Sequence, residues 1–397
     1  MAGPLPLGEP WPKNNRLDFQ PGEKTFHAYL HIPFCEIRCG YCDFNTYTAE
    51  ELGGISRAEF HKPLLREIGF SKKVFELSSV EPGPLRSIFF GGGTPSLFAA
   101  AQVSELIQSL GETFGISEDC EITLEANPES TSEELLDGLK AAGVNRLSFG
   151  VQSFDQAVLD VLDRRHRPDL VPKVVEAAKQ WGFRTSIDLI YGSPGESLAS
   201  WGESVAQAIA LGTEHISAYS LIVEPGTALA RRISKGELQG VDEDLNAQKY
   251  ELATQFFTSA GLTNYETSNF GQPSVHNLAY WTSQNWWGYG PGAHSHLAGN
   301  RFWNHKHPAK YSQLVESSSP AAGIERLTPR QVLEEELMLG LRLSSGVRKE
   351  LFRELEVDSE LVAKQIASGV LTLDADRIVA TEAGRLIVDR LVVDFLA

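Results

Sequence analysis

The sequence predicts an α/β protein, a partial barrel of six parallel strands with intervening helices followed by a small α+β domain. Three observations carry this reading. From about residue 26 to 222 a short β-branched or aromatic run, a Gly/Pro/Asn loop and a longer amphipathic segment recur in turn, the order expected of βαβ units. Polar or glycine-rich motifs directly follow five of the six runs, and in such folds the chemistry gathers at the C-terminal ends of the strands. Beyond about residue 326 the pattern changes to charged helical segments and a hairpin.

Residues 1–25 are Pro-rich and aperiodic and are expected to form an extended leader on the surface. The partial barrel is assigned to 26–240. Its expected strands are Ala28–Ile32, Ser87–Phe90, Glu121–Leu124, Arg146–Phe149, Ser186–Ile190 and His215–Ser220. Helices are expected near 59–77, 98–112, 132–141, 170–181 and 200–210. The segment 241–325 is rich in Trp and Gly and less periodic, and is treated as an extension. In 326–397 three helical patterns precede Val370–Leu373 and Arg377–Ala380, which flank an Asp-Ala-Asp turn, and a final helix begins at Thr381. Helices followed by a hairpin describe a winged-helix-like module. Without a basic face such a module suits a lid or docking role better than DNA reading.

Composition narrows the function. The chain carries 35 basic and 52 acidic residues, a net charge of −17, which opposes a general grip on nucleic-acid backbones. No stretch reaches eighteen uninterrupted apolar residues, and the N-terminus lacks the basic and hydrophobic regions of a secretion signal. A cytoplasmic protein, at most peripherally associated with membrane, is therefore expected.

The most informative segment is the loop after the first strand, Cys35-x-x-x-Cys39-x-x-Cys42. Structural zinc takes four ligands, commonly in two pairs, and no second pair follows. Four cysteines in 397 residues do not make a disulfide framework. Three thiolates on a four-iron cluster leave one iron without a protein ligand, open to a small molecule. Cys120 lies about eighty residues on and reads as a buried small hydrophobe. The other strand-end motifs are Gly91-Gly-Gly-Thr-Pro95, Glu125-Ala-Asn-Pro128, Gly150-Val-Gln152-Ser and Tyr191-Gly-Ser-Pro194-Gly.

The triplet, the Gly-Gly-Gly-Thr-Pro run and these later polar residues together resemble the radical S-adenosylmethionine (SAM) superfamily. Within it the resemblance is to the branch that contains oxygen-independent coproporphyrinogen III oxidase and the HemW group of heme chaperones. It implies that Cys35, Cys39 and Cys42 hold a [4Fe–4S] cluster whose open iron is chelated by SAM, with Tyr29 and Tyr41 flanking it. It also implies that Gly91, Gly92 and Gly93 let the backbone approach the methionine portion of SAM, with Thr94 and Pro95 shaping the turn. Glu125 suits the ribose hydroxyls, Gln152 and Asp188 face the same mouth, and Arg164 in Asp163-Arg-Arg-His166 suits a ligand carboxylate, with Arg165 and His166 as alternatives.

Three features separate oxidase from chaperone. The oxidase pattern adds a cysteine two places after the third, where this chain has Phe44. The oxidase resembles a chain with a substantial N-terminal segment over its porphyrinogen, and only about 25 residues precede the barrel here. The run His276-Asn277-Leu-Ala-Tyr280-Trp281 matches the H-N-x-x-Y-W motif associated with HemW. Imidazole is a common axial ligand for heme iron, so His276 is the first choice as heme contact, with His294 and His296 as alternatives. A competing reading packs Trp281, Trp286, Trp287 and Trp303 into one aromatic core around a hydrogen-bonded His276. The resemblance thus implies a chaperone that binds heme, a [4Fe–4S] cluster and SAM and delivers heme to acceptor hemoproteins. The alternative is radical oxidative decarboxylation of coproporphyrinogen III.

Overall fold

The computed structural model describes residues 7–20, 22, 24–48, 52 and 55–397. Residues 1–6 of the leader lie outside it. The first half of the chain runs β1 (Phe26–Ile32), α1 (His61–Ser78), β2 (Leu85–Gly92), α2 (Ala100–Phe114), β3 (Ile116–Ala126), α3 (Glu133–Ala141), β4 (Arg146–Gln152), α4 (Gln156–Val161), α5 (Val171–Gln180), β5 (Arg184–Tyr191), α6 (Leu198–Ala210) and β6 (His215–Ser220). Each of the six strands expected from the sequence is present, and all are mutually parallel in the order β1 to β6. Helix α4 has no counterpart in the sequence reading. At six residues it is too short to display a helical period, and it begins where the Asp155 side chain accepts the Ala157 amide.

The 241–325 segment is more regular than its composition suggests. After α7 (Ala228–Ser234) it contributes α8 (Glu243–Ser259), β7 (Asn269–Gly271), α9 (Val275–Trp281), β8 (Asn285–Tyr289), β9 (His294–Leu297), β10 (Asn300–Asn304), α10 (Pro308–Val315) and β11 (Ala321–Arg326). Strand β7 pairs antiparallel with β6, whereas β8 returns to the opposite edge and lies parallel to β1. The result is one open eleven-stranded sheet in the order β11-β10-β9-β8-β1-β2-β3-β4-β5-β6-β7. Residues of the leader cover the β10–β11 end: Glu9 and Ile324 exchange backbone hydrogen bonds, Trp11 packs edge-on against Phe302, and Leu17 is fully buried.

The last segment comprises α11 (Pro329–Gly340), β12 (Val347–Arg348), α12 (Glu350–Glu354), α13 (Ser359–Ala367), β13 (Leu371–Asp374), β14 (Arg377–Ala380), α14 (Glu382–Arg385) and α15 (Val388–Leu396). Its three strands form a separate antiparallel sheet around a core that includes Leu337, Leu351 and Leu391. The single final helix expected from Thr381 is two helices: the Thr381 hydroxyl caps α14, and the helix restarts at Val388.

Strand alternation determines what the sheet buries. Ala28, Leu30, Ile88, Phe90, Leu124, Leu147, Phe149, Ile187 and Ile216 pack against the outer helices. Between them His27, Tyr29, Glu121, Glu125, Arg146, Ser148, Asp188, His215 and Ser217 point to the inner face. A parallel sheet buried on both sides ordinarily reads as a continuous apolar run, so this polar inner face is built for something other than packing.

The strand extension is tied to α1 by one buried carboxylate. Glu67 is fully buried and accepts from Trp287 Nε1 at 3.3 Å, Asn304 Nδ2 at 2.8 Å, the Gly290 amide at 2.8 Å and the Tyr311 hydroxyl. Burial outweighs these donors and pushes its carboxyl up to about 7 from the ordinary 4.5. A raised carboxyl stabilises the fold fully below about pH 4.5 and loses that contribution as the pH climbs through about 7, on the order of 3 kcal/mol. Glu67→Gln leaves two donors facing an amide N–H₂ and is expected to cost about 2 kcal/mol at pH 5, with a smaller loss between pH 5 and pH 8 than the parent chain shows. Denaturant unfolding at the two pH values measures both effects.

Candidate functional site

Strand β1 lies between β2 and β8, and the cysteine loop leaves its C-terminal end. The start of the loop is held like a further piece of sheet: the Cys35 amide donates to Tyr47 O at 3.0 Å and the Tyr47 amide to Pro33 O at 2.7 Å. Its middle is pinned from the other side, where the Gly40 amide donates to Leu162 O and the Leu229 amide to Gly40 O. A Cβ on Gly40 would stand 2.3 Å from Asp163 Oδ2, so any larger residue there has to turn the Asp163 carboxylate aside. Cys35, Cys39 and Cys42 are free, half-buried and line one cavity of about 410 Å³. Burial pushes the Cys35 and Cys42 thiols up, that of Cys42 to about 11. Cys120 is buried elsewhere, at the start of the apolar part of β3.

The glycine turn after β2 runs alongside this loop. The Gly93 amide donates to Ile32 O and the Thr94 amide to Phe34 O, each at 2.8 Å, and Thr94 Oγ1 lies 3.8 Å from Cys35 Sγ. A Cβ on Gly93 would come within 2.5 Å of Phe34 O and 2.9 Å of Ile32 O. Gly92 has φ +112° and sits against the His31 imidazole. The glycines therefore serve the close approach of two backbones as well as the open cavity, a cause the sequence reading had not separated.

The remaining residues singled out from sequence converge on the same cavity. Tyr29, Tyr41, Gly92, Gly93, Thr94, Glu125, Gln152, Arg164, Asp188 and His276 all contribute to its walls. Glu125 accepts the Gly92 amide at 3.2 Å, and burial together with the nearby Asp188 raises its carboxyl to about 8. Burial also raises Asp188, which accepts the Ser148 hydroxyl at 3.0 Å. Gln152 sits at a β-bulge with φ +64°, a left-handed conformation rare outside glycine. Of the Asp163-Arg-Arg-His166 run, Arg164 turns inward: Nη2 donates to Gly150 O at 2.6 Å and to Asn127 Oδ1 at 3.0 Å, and Nη1 reaches Cys39 Sγ at 3.6 Å. Its Nε is buried without a partner. Arg165 is exposed and His166 is buried away from that cavity's walls.

His276 lines the cavity, but both its ring nitrogens are engaged. Nδ1 meets Ser87 Oγ at 2.7 Å and Nε2 meets Tyr280 OH at 2.8 Å, while the ring stacks on Phe89. Burial holds the imidazole neutral, its pKa well below the ordinary range. Ligation of iron by Nε2 requires Tyr280 to release it. The four tryptophans do not form one core: Trp287 packs against α1 through Phe70 and Phe75, and its neighbour Trp286 faces the other way, against Tyr280 and His296.

Sequence reasoning missed Arg146, Ser148, His215, Ser217 and Tyr219, which also line the cavity, as does Asn277 of the H-N-x-x-Y-W run. Arg146 is only 3% exposed, a buried cation 4.0 Å from Glu121, which also accepts from the Ser274 hydroxyl and the His276 amide and so seats the start of α9. The signal was legible: Arg146, Ser148, Ser217 and Tyr219 alternate with apolar residues inside strands that a purely structural sheet would fill with apolar side chains. Gly93→Ala is expected to push the glycine turn off the cysteine loop, costing about 1–3 kcal/mol and lowering the iron content of reconstituted protein. Gly69→Ala, in the exposed face of α1 with open space around it, is the control and should be neutral or slightly stabilising.

The three-cysteine loop fits an iron–sulfur cube better than a single ion. Three thiols without a fourth cysteine beside them are the donor set of a cube that keeps one iron open, whereas a structural zinc ion takes four ligands. Comparison with known proteins agrees with this reading. The radical SAM superfamily model matches residues 29–208 and the HemN C-terminal domain model matches 327–387. The chain is 40% identical over 377 residues to the heme chaperone HemW of Mycobacterium tuberculosis, covering 94% of this chain and 95% of that one, and 38% identical to HemW of Bacillus subtilis, covering 82% and 86%. It is 32% identical to the mitochondrial radical S-adenosyl methionine domain-containing protein 1 of Bos taurus, covering 95% and 88%. Among solved structures, the radical SAM coproporphyrinogen III oxidase HemN of Escherichia coli superposes with a TM-score of 0.80 over 94% of this chain and 90% of that one, at 24% identity, a likeness of fold. Three cysteines at the end of a central strand, a glycine turn packed against them and near full-length similarity to these relatives lead to one conclusion: the chain belongs to the HemW heme-chaperone family of the radical SAM superfamily.

Proposed function

We propose that this protein is a cytoplasmic heme chaperone, one that binds heme, holds a [4Fe–4S] cluster associated with SAM, and passes heme to acceptor hemoproteins. The observation that carries the proposal is the similarity to HemW proteins over nearly the whole chain, joined to a cavity whose mouth has three thiols and, where the oxidase pattern has a further cysteine, the exposed Phe44. Among the described residues no helix is long and apolar enough to cross a membrane, which accords with a peripheral association at most.

In this reading Cys35, Cys39 and Cys42 hold the cluster. When bound, the cluster supplies an open iron for SAM and a reservoir of one electron. The chain's own residues shape the rest. Arg164 places its charge beside Cys39 and keeps a buried N–H without a partner, suited to a carboxylate. Gly92 and Gly93, whose amides are already held by Glu125 and Ile32 O, line the cavity without a Cβ, so an amino-acid moiety can approach their backbone closely. Glu125, with its carboxyl raised to about 8, is protonated at neutral pH and offers a hydroxyl group as well as an acceptor to a ribose. Gln152 and Asp188 complete the polar wall, and Tyr29 and Tyr41 line the same cavity.

Cys39→Ser is expected to abolish cluster assembly, read as loss of the broad visible absorbance and of iron and sulfide in anaerobically reconstituted protein. The chaperone reading is tested by mixing reconstituted protein with heme, and separately with reductant, SAM and coproporphyrinogen III. Heme uptake without decarboxylation supports it; protoporphyrinogen formed at an enzymatic rate sinks it.

A further inference from the structure

A second cavity lies between the strand extension and the last segment. It is an open cavity of about 620 Å³, and Tyr29 and Tyr280 contribute to its walls as well as to those of the first. Strand β9 supplies it with two imidazoles. His294 and His296 are two places apart and project from one face of the strand, while Ser295 turns the other way and accepts the Gly288 amide. Register sets their neighbours: His296 pairs with Trp286 on β8 and Arg301 on β10, and His294 pairs with Trp303. Met338 and Leu339 of α11 line the cavity as well.

His296 is arranged as proteins arrange a histidine for a metal. Its Nδ1 lies 2.9 Å from the Gln284 carbonyl oxygen. A carbonyl only accepts, so Nδ1 carries the proton and Nε2 keeps its lone pair. Nε2 has no hydrogen-bond partner among the described residues, although the side chain is 3% exposed and lines the cavity. One nitrogen anchored on a carbonyl and the other offered is the usual support of a ligating imidazole. Burial lowers its pKa to about 4, so the ring is neutral at physiological pH.

The walls suit a flat, largely apolar molecule. Trp286 lies 5.1 Å from the His296 ring, and Trp303 stacks on His294 with 28° between the planes. Arg301 provides a guanidinium, already bridged to Glu325 and Glu335 at 2.7 Å each. A ligand carboxylate reaching Arg301 displaces one of these glutamates, which balances only if the displaced group takes up a proton, the direction in which burial already shifts Glu335. The proposed function commits the walls of the first cavity to cluster and SAM.

We infer that the second cavity is the seat of the transported heme, with His296 Nε2 as an axial ligand of its iron. This inference rests on the chaperone reading. The test is ferric heme titration of full-length, cluster-reconstituted protein, followed by difference absorbance in the Soret region and by electron paramagnetic resonance. His296→Ala is expected to weaken binding at least about tenfold and to change the axial-ligand signature, with added imidazole restoring that signature. Met338→Trp, which fills the cavity from the helix without touching β9, is expected to weaken binding while the cluster absorbance persists. His276→Ala is expected to leave the axial signature in place. Heme binding that ignores both His296→Ala and Met338→Trp overturns the inference alone, as does an axial signature lost with His276 in place of His296. No heme binding by the unaltered chain overturns the chaperone reading and this inference with it.

Discussion

The position of β1 inside the sheet is the constraint on which the site depends. Hydrogen-bonded to β2 on one side and β8 on the other, it cannot shift its register by one residue without sending Tyr29 and His31 into the helical layer and Leu30 into the cavity. The cysteine loop inherits that rigidity through the Cys35–Tyr47 and Gly93–Ile32 backbone contacts. Thiols on a loop anchored at both ends have little freedom left to lose on binding, so the ordering cost of their arrangement has been met largely by folding.

The inner face of the sheet places charge where a purely apolar core would be more stable. Arg146 and Glu121 are nearly inaccessible, Glu125 and Asp188 have raised carboxyls, and few of their partners are other than each other and nearby hydroxyls. Breaking such a buried set by removing one member is costly because the remainder is left uncompensated. A polar ligand entering the cavity adds partners to groups that are already desolvated, which is how a site of this kind recovers stability on binding.

The strand extension and the last segment do for the second cavity what the β-ends do for the first. Glu67 gathers donors from β8, β10, α10 and the Gly290 turn onto α1, and this fastens the sheet edge that presents Trp286, His294 and His296. Helix α11 then closes over it, joined through the Arg301–Glu335 ion pair. Such a joint is only part-buried, so electrostatics alone hold it weakly; Met338 and Leu339 add apolar contact.

Much of this was legible in the residues themselves. Alternating strand and helix patterns located all six parallel strands, because each places apolar residues at alternate or successive positions between loop signals. The three-cysteine spacing and the strand-end motifs pointed to one cavity, because parallel strands bring their C-terminal ends to the same side. What the sequence could not reveal were relations between distant segments. Nothing local to Asn285–Tyr289 says that β8 returns to lie beside β1, so the 241–325 region read as an irregular extension. Nothing local to His276 or His296 says that one imidazole has both nitrogens engaged and the other has Nε2 unpartnered. Residue types and their periods are properties of the chain alone, and they determined fold class and family and singled out the three cysteines. The state of each side chain depends on which donors and acceptors the packing places within 3 Å of it, and only the tertiary structure decided that.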